Sequence, residues 1–144
     1  MKGAEEDSGA MDRFRPAFIY TGIRVRDMEK SLAFYTGILG MEIVERLQKT
    51  VPTKGEVVTL KSPASSQLLE LNWYSRESSF YSDYGNGDEL DHLAFEVDDI
   101  DKWITRLASL GIEIIVRIKE VGGWNEAFVK DPNGIWIEFL QRHV

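Results

Sequence analysis

Across its 144 residues the chain runs twice through one pattern, and that duplication limits the folds open to it. Tyr20-Thr-Gly-Ile-Arg-Val25 lies over His92-Leu-Ala-Phe-Glu-Val97, Asp27 over Asp99 and Met28 over Ile100. An amphipathic run follows each strand. Met28, Leu32, Tyr35 and Leu39 keep helical spacing in the first copy, and Ile100, Trp103, Ile104 and Leu107 in the second. Gly40 and Gly111 end these helices as left-handed caps. Further on, Glu42-Ile43 matches Glu113-Ile114, and Leu60-Lys-Ser-Pro63 matches Val129-Lys-Asp-Pro132. Last, Leu69-Glu-Leu71 matches Ile137-Glu-Phe139. Each unit reads strand, helix and three strands, so the pattern predicts an α+β chain of two βαβββ modules, at about 17–74 and 90–141.

The strands alternate apolar and polar residues. In Asp91–Val97, Leu93, Phe95 and Val97 take one face and His92, Ala94 and Glu96 the other. The first strand is expected over Ala17–Val25, with Asp27 capping the helix behind it. Glu113–Ile118 is expected as a strand, and Asp131-Pro-Asn-Gly134 as a tight turn. Tyr74–Glu89 joins the modules, is long for a loop, and is expected to cross a partner or cover a pocket. Residues 1–16 lack periodicity and read as a loose arm ahead of the domain at 17–144.

The formal net charge of −7 argues against nucleic-acid binding. No cysteine is present, so disulfides, thiolate ligands and cysteine nucleophiles are excluded. No apolar run reaches the roughly 20 residues of a membrane span, and no secretory signal is visible. The expected location is the cytoplasm.

Tyr20 and His92 hold equivalent places in the two copies, as do Glu70 and Glu138. All four lie on strand faces opposite the more apolar set. Packed as a pseudo-twofold pair, the modules would gather an imidazole, two carboxylates and a phenol. One nitrogen with two or more oxygens suits Zn²⁺, Ni²⁺, Co²⁺, Mn²⁺ or Fe²⁺. Such an ion would polarise a carbonyl, and a carboxylate would serve as general base. The structural alternative is a hydrogen-bonding histidine, solvated glutamates and an ion pair between Glu96 and Arg24. The symmetric placing of Glu70 and Glu138 is what speaks for a cation.

Tyr20-Thr-Gly-Ile-Arg-Val-Arg-Asp27, Ser31-Leu-Ala-Phe-Tyr35, Leu69-Glu-Leu71, Asp91-His-Leu-Ala-Phe-Glu-Val97 and Asp131-Pro-Asn-Gly-Ile-Trp-Ile-Glu138 resemble the glyoxalase I group of the vicinal oxygen chelate superfamily. The resemblance implies paired βαβββ modules forming a cupped, partly open mixed β-sheet barrel around a divalent metal, with helices outside. It also implies a homodimer whose sites draw on both chains, Glu70 from one and His92 with Glu138 from the other. The implied reaction isomerises the hemithioacetal of methylglyoxal and glutathione through a metal-bound enediolate to S-lactoylglutathione. Glu138 would be base and ligand, Glu70 the opposite ligand, and Arg24 the residue that holds a glutathione carboxylate.

Three positions depart from the family. Its first ligand is usually histidine or glutamine, and Tyr20 stands there, as a ligand or as a hydrogen-bonding partner of water or substrate. Tyr74 replaces an asparagine, and Asp88 replaces a basic residue. Fold and metal therefore carry over better than glutathione. The alternatives are a related extradiol dioxygenase, which would need a second histidine, and a metal-free small-molecule-binding protein.

Overall fold

The computed structural model describes residues 17–48, 54–87, 90–121 and 123–142. The arm at 1–16, Asp88, Gly122 and His143 lie outside the described residues, as does most of the loop before Gly55. The first module comprises β1 (Thr21–Arg24), α1 (Met28–Leu32), β2 (Glu42–Leu47), β3 (Gly55–Lys61) and β4 (Leu68–Tyr74). The second comprises β5 (Leu93–Glu96), α2 (Ile100–Ser109), β6 (Val116–Val121), β7 (Trp124–Lys130) and β8 (Trp136–Arg142). Each module makes one four-stranded sheet, in the orders β1-β4-β3-β2 and β5-β8-β7-β6. β1 runs parallel to β4 and β5 parallel to β8, while the other pairings are antiparallel. This is the expected arrangement: two βαβββ modules, mixed sheets that do not close, and few helices. No helix among the described residues is long and apolar enough to cross a membrane.

The alternating pattern decides which sheet face is covered. Ile23, Val58, Leu60, Leu69 and Leu71 are buried with Met28, Leu32 and Tyr35 of the first helix. Ala127, Val129, Ile137 and Phe139 are buried with Ile100 and Leu107 of α2. Trp103 of α2 stacks on Phe139 at 5.3 Å between ring centroids. The helices therefore cover the Leu69–Leu71 and Ile137–Phe139 faces, and Glu70 and Glu138 look to the other side.

Both helices begin as the sequence demands. Asp27 accepts from the Lys30 amide at 3.0 Å, and Asp99 from the Lys102 amide at 3.1 Å. Gly40 and Gly111 sit at φ +69° and +76°, a region that costs an L side chain roughly 1–2 kcal/mol. Gly111→Ala is accordingly expected to lower unfolding free energy by about 1 kcal/mol, read as a drop in the urea midpoint at constant slope. An unchanged midpoint would show that the cap conformation is not required there.

The boundaries differ from expectation in four places. β5 covers only Leu93–Glu96 of the expected Asp91–Val97, so His92 stands just ahead of the strand. α1 continues as a wider π-helical turn over Ala33–Ile38, so the Leu39 amide reaches the Phe34 carbonyl at 3.0 Å. β1 starts only at Thr21, because the preceding Phe18, Ile19 and Tyr20 are exposed and outside the ladder. β6 spans Val116–Val121 rather than Glu113–Ile118; the Ile115 amide donates to the Phe128 carbonyl at 2.8 Å, and the residue-by-residue pairing with β7 begins at Val116.

The modules are clasped by buried polar contacts between the first helix and the turn after β7. Tyr35 Oη donates to Asp131 Oδ2 at 2.8 Å, and Asn133 Nδ2 donates to Ser31 Oγ at 3.1 Å. The Arg26 amide donates to Asn133 Oδ1 at 2.8 Å. Gly134 serves this turn twice. Its φ is +92°, and Asn86 Nδ2 would lie 2.5 Å from a Cβ placed there.

Candidate metal centre

Parallel pairing sets Ala94 opposite Glu138 on adjacent strands β5 and β8. His92, two residues before Ala94, projects on the same side. Its Nε2 lies 2.8 Å from Glu138 Oε2. Glu138 is buried, with 7% of its surface exposed, although it stands on the face away from the helices. Burial pushes its carboxyl above the usual carboxylate range, and the His92 ring only partly opposes this.

The other ring nitrogen, Nδ1, meets Asp91 Oδ1 at 2.5 Å. A carboxylate at Nδ1 favours the tautomer that carries hydrogen there and turns Nε2 toward Glu138. That contact is the leading cause of a raised His92 pKa, against the opposing effect of burial. Asp91 is a neighbour of the candidate site that periodicity did not reveal. Its only sequence signal is its place directly before the histidine.

The first module repeats the seat. Gly22 stands opposite Glu70 in the parallel pairing of β1 with β4, as Ala94 does to Glu138. A Cβ on Gly22 would lie 3.8 Å from Glu70 Oε1 and 3.9 Å from Tyr20 Cε2. Tyr20 and Glu70 therefore flank one glycine as His92 and Glu138 flank one alanine. The structure brings His92 and Glu138 into contact and sets Tyr20 and Glu70 beside one glycine. It does not join the pairs within one chain: among the described residues, no three His, Cys, Asp or Glu side chains gather closely enough to hold a metal ion.

Arg24 is engaged by the chain itself. Its guanidinium donates to Ser82 Oγ at 2.6 Å and to the Phe80 carbonyl at 2.7 Å, and lies 5.0 Å from the Tyr74 ring centre. Arg26 holds the same linker through Asn86 at 3.1 Å and the Tyr84 ring at 4.4 Å. Glu96 does not pair with Arg24; it meets Arg142 at 3.5 Å. Two clefts border the linker. One, of about 460 Å³, is lined by Arg24, Arg26, Arg76 and tyrosines. The other, of about 590 Å³, includes Asp91, Phe128 and Trp136.

Residues 17–139 match the model of the Glyoxalase/Bleomycin resistance protein/Dioxygenase superfamily. A lactoylglutathione lyase of Pseudomonas aeruginosa is 31% identical over 146 residues, covering 86% of this chain and 81% of that protein. One from Neisseria meningitidis is 33% identical over 135 residues, covering 86% and 89%. Among solved structures, the trypanothione-dependent glyoxalase I of Leishmania major superposes with a TM-score of 0.65 at 30% identity, covering 88% of this chain and 87% of that one.

Proposed function

The chain belongs to the Glyoxalase/Bleomycin resistance protein/Dioxygenase superfamily, and from that premise we propose that it is a metal-dependent lyase of the glyoxalase I kind. Its substrate is the hemithioacetal of a 2-oxoaldehyde and a thiol, and its product the 2-hydroxyacyl thioester. C1 loses its hydrogen and becomes the thioester carbonyl; C2 gains one and becomes the alcohol carbon. Oxidation at C1 balances reduction at C2, so no outside oxidant is required.

One observation carries this reading: a buried carboxyl, Glu138, held against the His92 ring on the open sheet face, with Tyr20 and Glu70 in the matching seat. An imidazole nitrogen and carboxylate oxygens fit Ni²⁺, Zn²⁺, Co²⁺, Mn²⁺ or Fe²⁺. When bound, the ion supplies Lewis acidity toward the substrate oxygens. His92 and Glu138 would hold it from one chain. Glu70 would hold it from a second copy, because it does not reach the pair within its own chain; the working form in this reading is a homodimer, in the cytoplasm. Glu138 takes the C1 proton and returns it at C2. Tyr20 hydrogen-bonds the bound substrate. Arg24 receives a carboxylate of the thiol once Ser82 and Phe80 yield its guanidinium.

Purified protein is expected to carry about one divalent ion per chain and to lose it on His92→Ala, as metal analysis would read. Methylglyoxal with a thiol should give a thioester absorbance only when the metal is present. The relatives differ in thiol by name, so glutathione and a second thiol are both assayed. Metal-free parent protein, or no thioester with either thiol, overturns the reading. Tyr20 in the place of a histidine or glutamine favours one second reading, a metal-free small-molecule-binding protein of the same superfamily, and the metal content decides between them.

A further inference from the structure

The larger cleft adjoins the His92–Glu138 pair, and we propose that it receives an aryl group: the substrate is an adduct of an aryl 2-oxoaldehyde rather than of methylglyoxal. This rests on the lyase reading for its chemistry but on the cleft for its specificity. Phe128 stands opposite Glu138 in the β7–β8 ladder. Its ring meets His92 edge-to-face at 5.9 Å and 85°. It meets Trp136 at 6.0 Å and 63°. Imidazole, phenyl and indole thus form one continuous wall leading away from the carboxyl that would move the proton. Val116 and Ile118 of β6 extend the wall, and Tyr84 and Leu90 line the cleft from the linker side.

Size and chemistry point the same way. At about 590 Å³ the cleft lies inside the roughly 300–1,000 Å³ range of small-molecule sites. A methyl substituent would leave most of it to water. A ring offers a flat apolar surface that pairs edge-to-face or offset with Phe128 and Trp136, a gain beyond area burial. The second cleft is a poor seat for this group. It is lined by Arg24, Arg26 and Arg76, none in an ion pair among the described residues. Neither cleft is lined by His92 or Glu138 themselves, but of the two the larger one includes Phe128 and Asp91, which touch the His92 ring.

The test holds the thiol constant and compares phenylglyoxal with methylglyoxal as substrates of the metal-loaded protein. The ratio of kcat/KM is expected to favour phenylglyoxal by about tenfold or more. Ile118→Trp, or Val116→Trp should the first fail to fold, fills the cleft from the edge strand and should bring the ratio to one or below. A second measurement does not depend on turnover. Titration calorimetry should find mandelate, an aryl 2-hydroxy acid, bound about tenfold more tightly than lactate, with Ile118→Trp removing the difference. Turnover without an aryl preference overturns the inference and leaves the lyase reading standing. No turnover of either adduct, with mandelate still preferred, overturns the lyase reading and leaves the aryl cleft standing. Equal binding of mandelate and lactate with no turnover overturns both.

Discussion

Glu138→Gln is expected to lower kcat/KM by about 10³-fold with little change in thermal stability. Glutamine has the shape of glutamate and still offers an oxygen or an amide to His92 Nε2, which lies 2.8 Å from the carboxyl. What it removes is the proton transfer between C1 and C2 proposed for Glu138. The parent carries a second signature of the same role. Only the ionised carboxyl accepts the proton, so activity falls as the pH drops through the Glu138 pKa. Burial raises that pKa in the metal-free chain, and a bound cation opposes the shift by favouring the ionised carboxylate, so loss of the metal at low pH is expected to accompany the acid limb. A glutamine variant within tenfold of the parent would remove Glu138 from the chemistry.

The largest loss of stability is expected from Asp131→Ala, at about 3–4 kcal/mol. Asp131 is 5% exposed, and its carboxylate is fully used. Oδ1 accepts from the amides of Asn133 and Ile135, each at 2.8 Å. Oδ2 accepts from Tyr35 Oη at 2.8 Å and Asn133 Nδ2 at 2.9 Å. Alanine leaves these donors without their acceptor in a place that water does not readily reach, and buried unmet donors are costly. The phenol cannot compensate by ionising. Burial, the largest cause of the raised Tyr35 pKa, outlasts the loss of the Asp131 charge, so the phenol remains a donor in the variant. Tyr35→Phe removes one bond of the set and should cost only about 1–2 kcal/mol. Because the two residues share one bond, the double variant should lose less than the sum of the single losses. Urea unfolding measures all three proteins. An Asp131→Ala protein within about 1 kcal/mol of the parent would show that the clasp between modules is held by apolar packing instead.

Much of the site was legible because it was written twice. Period-two alternation put Glu70 and Glu138 on the face opposite Leu69, Leu71, Ile137 and Phe139, and those four are buried. Asp27 caps its helix and Gly40 and Gly111 take positive φ where the sequence placed them, and Asp99, the repeat equivalent of Asp27, caps the second helix in the same way. The reason is local: alternation, caps and left-handed turns depend on residues a few positions apart. Resemblance then named a ligand set whose members fall into two matching pairs.

The rest depended on which distant segments meet. His92 reaches Glu138 because β5 pairs with β8 rather than with any strand nearer in sequence. Backbone hydrogen bonds carry no residue identity, so composition cannot select that partner. The same holds for Tyr35 on Asp131, for Arg24 on Ser82 and Phe80, and for the aromatic wall from His92 to Trp136. The sequence by itself determined which residues share a face and how each helix starts and stops. Only the tertiary structure decided which faces oppose one another, since that follows from the joint burial of both modules and not from any one stretch of chain.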